Sequence, residues 1–251
     1  MNRNEQLKQT EKLIKTADPL PVLLLILTIT TGLVDAVSFL GLGRVFTANM
    51  TGNVVFLGFA LGGAPGIAVT SSLAAIGAFV AGAVLGGRLG KKYAGEELRK
   101  WFLTVAVIES ILLVAAGFIA LGFDIETHTT AFQLYSVIVL TAIAMGLRNS
   151  TVRQMNVKDL TTTVLTLTLT GIGADSRLAG GGNVNFARRI GSVVLMFAGA
   201  GLGALLLYRS GGVSLPLFVC GGLVLSVTLI YAALPASEVR KEAGESKPKP
   251  A

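Results

Sequence analysis

The chain has 251 residues, of which 52% are hydrophobic and only 14% charged, with a mean hydropathy of +0.71; a soluble domain carries roughly 25% charged residues, so water is not its main solvent. A single cysteine, Cys220, and a single histidine, His128, exclude an internal disulfide and a Cys/His metal cluster, and nothing in the composition calls for a cofactor. The net charge of +7 comes from lysines and arginines gathered at the ends of apolar stretches, which is the pattern of cytoplasmic membrane loops and not of a nucleic-acid surface.

Residues 1–18 are polar and predict a cytoplasmic segment ahead of the membrane domain, 19–235. The run "PLPVLLLILTITTGLVDAVSFLGL" is too long for a signal peptide and no A-x-A site follows, so it predicts a retained first helix. Long apolar helices are predicted at 20–43, 69–91, 102–123, 130–148, 188–208 and 214–234. Each can cross a hydrocarbon core of about 30 Å, for which about 20 residues suffice. Two further apolar segments, 50–63 and 160–174, reach only about 21 to 23 Å at about 1.5 Å per residue. The last stretch, 236–251, is rich in Lys, Glu and Pro and predicts a disordered cytoplasmic tail.

Loop charge tests this pattern. Residues 88–101 carry Arg88, Lys91, Lys92, Arg99 and Lys100, whereas 124–130, "DIETHTT", carry no Lys or Arg. Placing the first loop inside and the second outside requires the two short segments to dip into the membrane and return. The chain then crosses six times with both termini in the cytoplasm, and Arg209 is the main exception.

The chain also aligns with itself. "GLVDAVSFLGLGRVFTANMTG" from Gly32 matches "GLRNSTVRQMNVKDLTTTVLT" from Gly146, which pairs Asp35 with Asn149, Arg44 with Lys158 and Thr47 with Thr161. "AGAVLGG" at 81–87 matches "AGAGLGA" at 198–204. The expected architecture is an all-α polytopic membrane protein of two inverted repeats, about 19–123 and 130–235, each with three crossing helices and one short or re-entrant helix. Gly82 with Gly86, and Gly199 with Gly203, put small residues four apart, a spacing that favours close helix contacts and offers faces for a homo-oligomer.

The segment "RVFTANMTGNVV" places amides and hydroxyls among apolar residues, where they are costly unless satisfied or used. In the inverted arrangement it enters from outside, its counterpart enters from inside, and the two polar turns meet near the midplane. Thr47, Asn49, Thr51, Asn53, Thr161, Thr162 and Thr163 are therefore the candidate solute-binding residues. Asn49 or Thr47 is placed to cap a half-helix starting near Met50, and Thr161 one starting near Thr162. Exposed N–H groups there would favour a small polar or anionic solute. The competing reading is that the threonines bond carbonyls four residues back or glue helices together.

The intramembrane charges are the candidates for coupling or ion pairing: Asp35, Arg44, Glu109, Arg148 and, across the repeat, Asn149. Asp35 has a possible partner in Arg44, and Glu109 in Arg99 or Lys100.

"GLVDAVSFLGLGRVFTANMTGNVVFLG" resembles the signature of the YoaK family of bacterial membrane proteins, and the likeness extends over about 20–235. The resemblance implies a multi-pass protein of the bacterial inner membrane and a transport-like role, without a substrate or catalytic residues. A transporter or channel is thus the first expectation. A membrane enzyme is the alternative, but one His in a short loop and two isolated carboxylates are poor material for a nucleophile with its base or for a metal site. A non-catalytic membrane partner or sensor is the third reading.

Overall fold

The computed structural model describes residues 20–93, 98–127, 130–155, 165–183 and 185–234. Their regular structure is all helical: α1 (Leu20–Gly41), α2 (Met50–Leu61), α3 (Val69–Lys92), α4 (Leu98–Ile119), α5 (Ala131–Met155), α6 (Leu165–Ala174), a single 3-10 turn (Arg177–Ala179), α7 (Phe186–Ser210) and α8 (Ser214–Ala233). Six helices are long and apolar enough to cross a membrane, while α2 and α6, with 12 and 10 residues, are not. The expected elements are thus present, with two shifts. Helix α4 begins before the basic residues, because Arg99 reaches across to the carbonyls of Tyr231, Ala232 and Leu234 at the C-terminal end of α8. Helix α5 continues past 148 to Met155, so that Arg148 and Asn149 lie inside it.

Helix α1 is the innermost element, with 67% of its membrane-length window buried, against 28% for α3 and 22% for α7, which turn large side chains such as Val80, Val84, Phe197 and Leu205 outward. In lipid there is no hydrophobic drive to bring helices together, so close approach depends on small residues. Gly32 and Gly199 supply it between α1 and α7: a Cβ at Gly32 would strike the Met196 carbonyl, and one at Gly199 the Ile29 carbonyl. Gly146 and Gly82 do the same between α5 and α3, against the carbonyls of Phe79 and Ile143. These are the same contacts twice over. Gly32 aligns with Gly146 and Gly82 with Gly199, and each partner carbonyl lies three residues before the glycine on its own helix. The glycine faces that suggested a homo-oligomer are therefore spent inside the chain.

The contacts also fix helix direction. Gly82, Gly86 and Gly90 of α3 meet Ile143, Leu147 and Gln154 in ascending order, so α3 and α5 are parallel; Gly199 and Gly203 of α7 meet Ile29 and Leu33, so α1 and α7 are parallel too. Helix α4 runs against α5, since Gln133 binds the Ile119 and Leu121 carbonyls while Arg148 meets Glu109. It also runs against α8, where Phe102 meets Tyr231 and Phe118 meets Phe218 edge to face. Helix α8 in turn opposes α1, with Cys220 at Thr30 and Val213 at Gly41. It follows that α1 and α3 are antiparallel, as are α5 and α7, and the chain carrying each short helix returns to the end of the bundle it left. One end gathers Lys91, Lys92, Arg99, Lys100, Arg153 and Arg188; the other carries Arg44, Asp124, Glu126 and Arg209.

The glycine contacts carry a prediction. Gly82→Ala or Gly199→Ala drives a methyl into backbone of the facing helix, an overpacking cost of roughly 1–3 kcal/mol, whereas Gly77, whose Cβ would meet nothing within 4 Å, tolerates alanine. Thermal unfolding in detergent should separate the two classes.

Candidate functional site

On α1 the residues Leu27, Thr31 and Asp35 recur every four positions and so lie on one face. Its hydroxyls are largely satisfied within the helix: Thr28 donates to the Leu24 carbonyl and both Thr30 and Thr31 to that of Leu27. Opposite that face, Arg148 of α5 forms an ion pair with Glu109 of α4, the two residues being 2% and 1% exposed. The same guanidinium donates to the Leu27 carbonyl (2.9 Å) and to Thr31 Oγ1 (3.1 Å). Arginine suits this position because its planar fork serves several acceptors at once. Glu109 lies midway along α4, so the pair sits deep in the bundle and joins three helices. The expectation that Glu109 turns to Arg99 or Lys100 is therefore corrected: its cation comes from α5, while Arg99 binds the end of α8.

Below the pair, toward the basic end, is a small void between α1, α4 and α5, lined by Leu24, Phe102, Val105, Ala106, Thr151 and Val152 together with the pair itself. The space open to the centre of a water-sized sphere is about 10 Å³, roughly enough for one water. Arg148 Nε and Thr151 Oγ1 are both buried with no hydrogen-bond partner among the described residues.

Asp35 builds a second site nearer the other end. After α1 the chain doubles back through Gly43 and Arg44, both left-handed at φ 83° and 60°. It then presents the amides of Ala48 (2.9 Å) and Asn49 (3.3 Å) to Asp35 Oδ1. Successive amides of this kind form an anion-binding concavity, and here the anion is the protein's own carboxylate. Two expectations change. Asp35 is held by backbone and not by Arg44, whose exposed guanidinium lies beside Gly66. The amides that were to face a solute ahead of α2 are already engaged by Asp35.

Asn53, fully buried, accepts from the Phe46 amide (2.9 Å) and donates to its carbonyl (2.6 Å), imitating a backbone pair. It is structural glue, reinforced by the stacked rings of Phe39, Phe46 and Phe56. Asn49 occupies the N-cap position of α2 without a side-chain cap bond, Thr51 is exposed, and Thr47 is buried with Oγ1 unpaired among the described residues. Thr161, Thr162 and Thr163 lie outside the described residues. The two short helices do not meet: among the described residues α2 packs on α3, and α6 on α7, where Arg189 binds the Gly171 carbonyl and Asp175 (both 2.6 Å). The structure thus brings Glu109, Arg148 and Thr31 together near the middle, and groups Asp35 with 46–53 nearer one end. Asn149 follows Arg148 on α5, half-buried.

Residues 23–230, which contain both sites, match the family model described as "Protein of unknown function (DUF1275)". The chain belongs to the DUF1275 family. Within reach of this family is the "UPF0700 transmembrane protein YoaK" of Bacillus subtilis (strain 168), 35% identical over 154 residues, a stretch that covers 61% of the present chain and 65% of that protein. No solved structure matches. The YoaK resemblance read from "FTANMTGN" is thereby upheld, and with it a multi-pass transmembrane protein.

Two predictions follow from the sites. Removing one partner of the buried pair, as in Glu109→Gln or Arg148→Met, should cost about 3–5 kcal/mol, and the double substitution should recover much of the loss because no charge is left stranded; a double-mutant cycle on unfolding midpoints tests it. Asn53→Ala strands the Phe46 amide and carbonyl and should lower stability by about 1–3 kcal/mol, whereas Thr51→Ala at an exposed position should be silent.

Proposed function

We propose that this DUF1275 protein moves a small polar or anionic solute across the bacterial inner membrane, and that the Glu109–Arg148 pair lies on the solute's route. The observation that carries the reading is the burial of that pair at the junction of three membrane-length helices. Ionisable groups at such depth are expensive, and they are characteristic of solute and ion pathways. The architecture supports it further. The first helix of each half packs through glycine on the second long helix of the other, and the equivalent helices α1 and α5 run in opposite directions. That is the relation expected of inverted repeats, a plan common among secondary transporters. Arg148 supplies the positive charge for an anionic group, with Thr31 and Thr151 as neutral hydrogen-bonding neighbours. The basic end is assigned to the cytoplasm by its lysines and arginines, which gives six crossings and cytoplasmic termini.

Transport is tested in sealed proteoliposomes with a panel of radiolabelled small anions and polar neutral solutes. The expected result is flux above empty liposomes for some member of the panel, abolished in the folded Glu109→Gln/Arg148→Met double variant. Flux that the double variant retains in full would remove the pair from the route. Orientation is tested separately with single cysteines in a Cys220→Ala background: those at Gly66 and Thr127 should react with an impermeant maleimide from outside, and those at Lys92 and Ala179 only after permeabilisation. External labelling at Ala179 would overturn the inverted arrangement.

A further inference from the structure

We propose that the void beside Arg148 is a hydration site, and that water reaches the Glu109–Arg148 pair through it from the basic end of the bundle only. The ligand is water. Arg148 and Thr151 both line a space that holds about one water, and each has a buried donor, Nε–H and the hydroxyl, with no protein partner among the described residues. Buried polar groups are almost always paired with protein or ordered water, so two such orphans at one small void identify its occupant. The wall is mostly apolar, but Arg148, Glu109 and Thr151 break it on one side, which gives a water polar partners that a purely apolar void lacks.

Direction comes from what lies along each helix. Toward the basic end the void is bounded by Phe102 and Val105 on α4 and by Thr151 and Val152 on α5. One turn beyond Val105, Trp101 has its Nε1 likewise buried without a partner among the described residues, its ring near Gly90 and Gln154. A third buried donor without a partner among the described residues thus lies on that side of the pair. Toward the opposite end the next turns of α4 and α5 carry Leu113, Ala144 and Met145, all fully buried, and α1 closes the pair with Thr31 and the Leu27 carbonyl. On the alignment of the two halves, the positions matching Arg148 and Thr151 are Val34 and Val37, both 1% exposed. The wet half-path has no counterpart there.

This rests on the reading of the pair as part of a solute route, but its test requires no solute, so either can fail alone. In a Cys220→Ala background, Thr151→Cys replaces the hydroxyl by a thiol and drops the γ-methyl. Silver ion is applied to vesicles of each orientation, and protection from later maleimide labelling in denaturant is measured. Protection should form at least about tenfold faster from the basic end than from the other, since only a hydrated thiol ionises to the reactive thiolate. Leu113→Cys should stay unprotected from both. Equal rates at Thr151→Cys from the two ends, or none from either, would overturn the proposal. A second measurement needs no variant: experimental density for the native protein should hold a water within hydrogen-bonding distance of Arg148 Nε and Thr151 Oγ1, and a clear map without it would also overturn the site.

Discussion

Arg148 takes most of its hydrogen-bond acceptors from protein, and the rest of the bundle is arranged around that requirement. A guanidinium in hydrocarbon has no bulk water to fall back on, so its acceptors have to come from other helices at hydrogen-bonding range. Glu109 of α4 supplies charge, and α1 supplies a carbonyl and a hydroxyl. Arg148 spans to α1 and α4 by the reach of its side chain, since α1 and α4 do not pack directly on one another among the described residues, and the outer helices α3 and α7 clamp α5 and α1 from behind. They do so through glycine faces that let backbone touch backbone. The ion pair and the glycine contacts are thus two parts of one arrangement: small residues outside, a bulky charged cluster inside.

Asp35 plays the complementary role for the short helix α2. Its carboxylate gathers the amides of Ala48 and Asn49, while Asn53 ties the backbone of Phe46, so the backbone of "FTANMTGN" and the Asn53 side chain hold the chain in its turn, whereas the side chains of Thr47, Asn49 and Thr51 do not. The two sites share helix α1, with Thr31 and Asp35 one turn apart on the same face. A rotation or shift of α1 would therefore be felt at both.

How much of this was legible in the sequence can be judged from particular residues. Helix number and length followed from apolar runs, and the returning short segments from the contrast between Arg88–Lys100 and "DIETHTT"; both are the bilayer's own constraints on length and charge. The partner of Glu109 was not legible. Arg148 sits in "GLRNSTVRQ", which reads as a polar helix end, and periodicity cannot tell that α5 continues to Met155. The spacing between Glu109 and Arg148 is tertiary and leaves no local pattern. Likewise Asn49 and Asn53 look alike in sequence, but only Asn53 falls where it can bridge both groups of Phe46. The glycines were recognisable as contact residues, though not the fact that their partners lie in the other half.

That last point bears on how the chain is made. Helix α1 is made before α7, yet the surface that covers Gly32 belongs to α7, whose synthesis comes more than a hundred residues later. Until then α1 waits in the membrane with a bare backbone face. The first half also lacks a cation for Glu109, which arrives only with α5. The packing around Gly32 and Glu109 is therefore complete only once α5 and α7 have been made, because neither contact can be supplied by the helices that precede them.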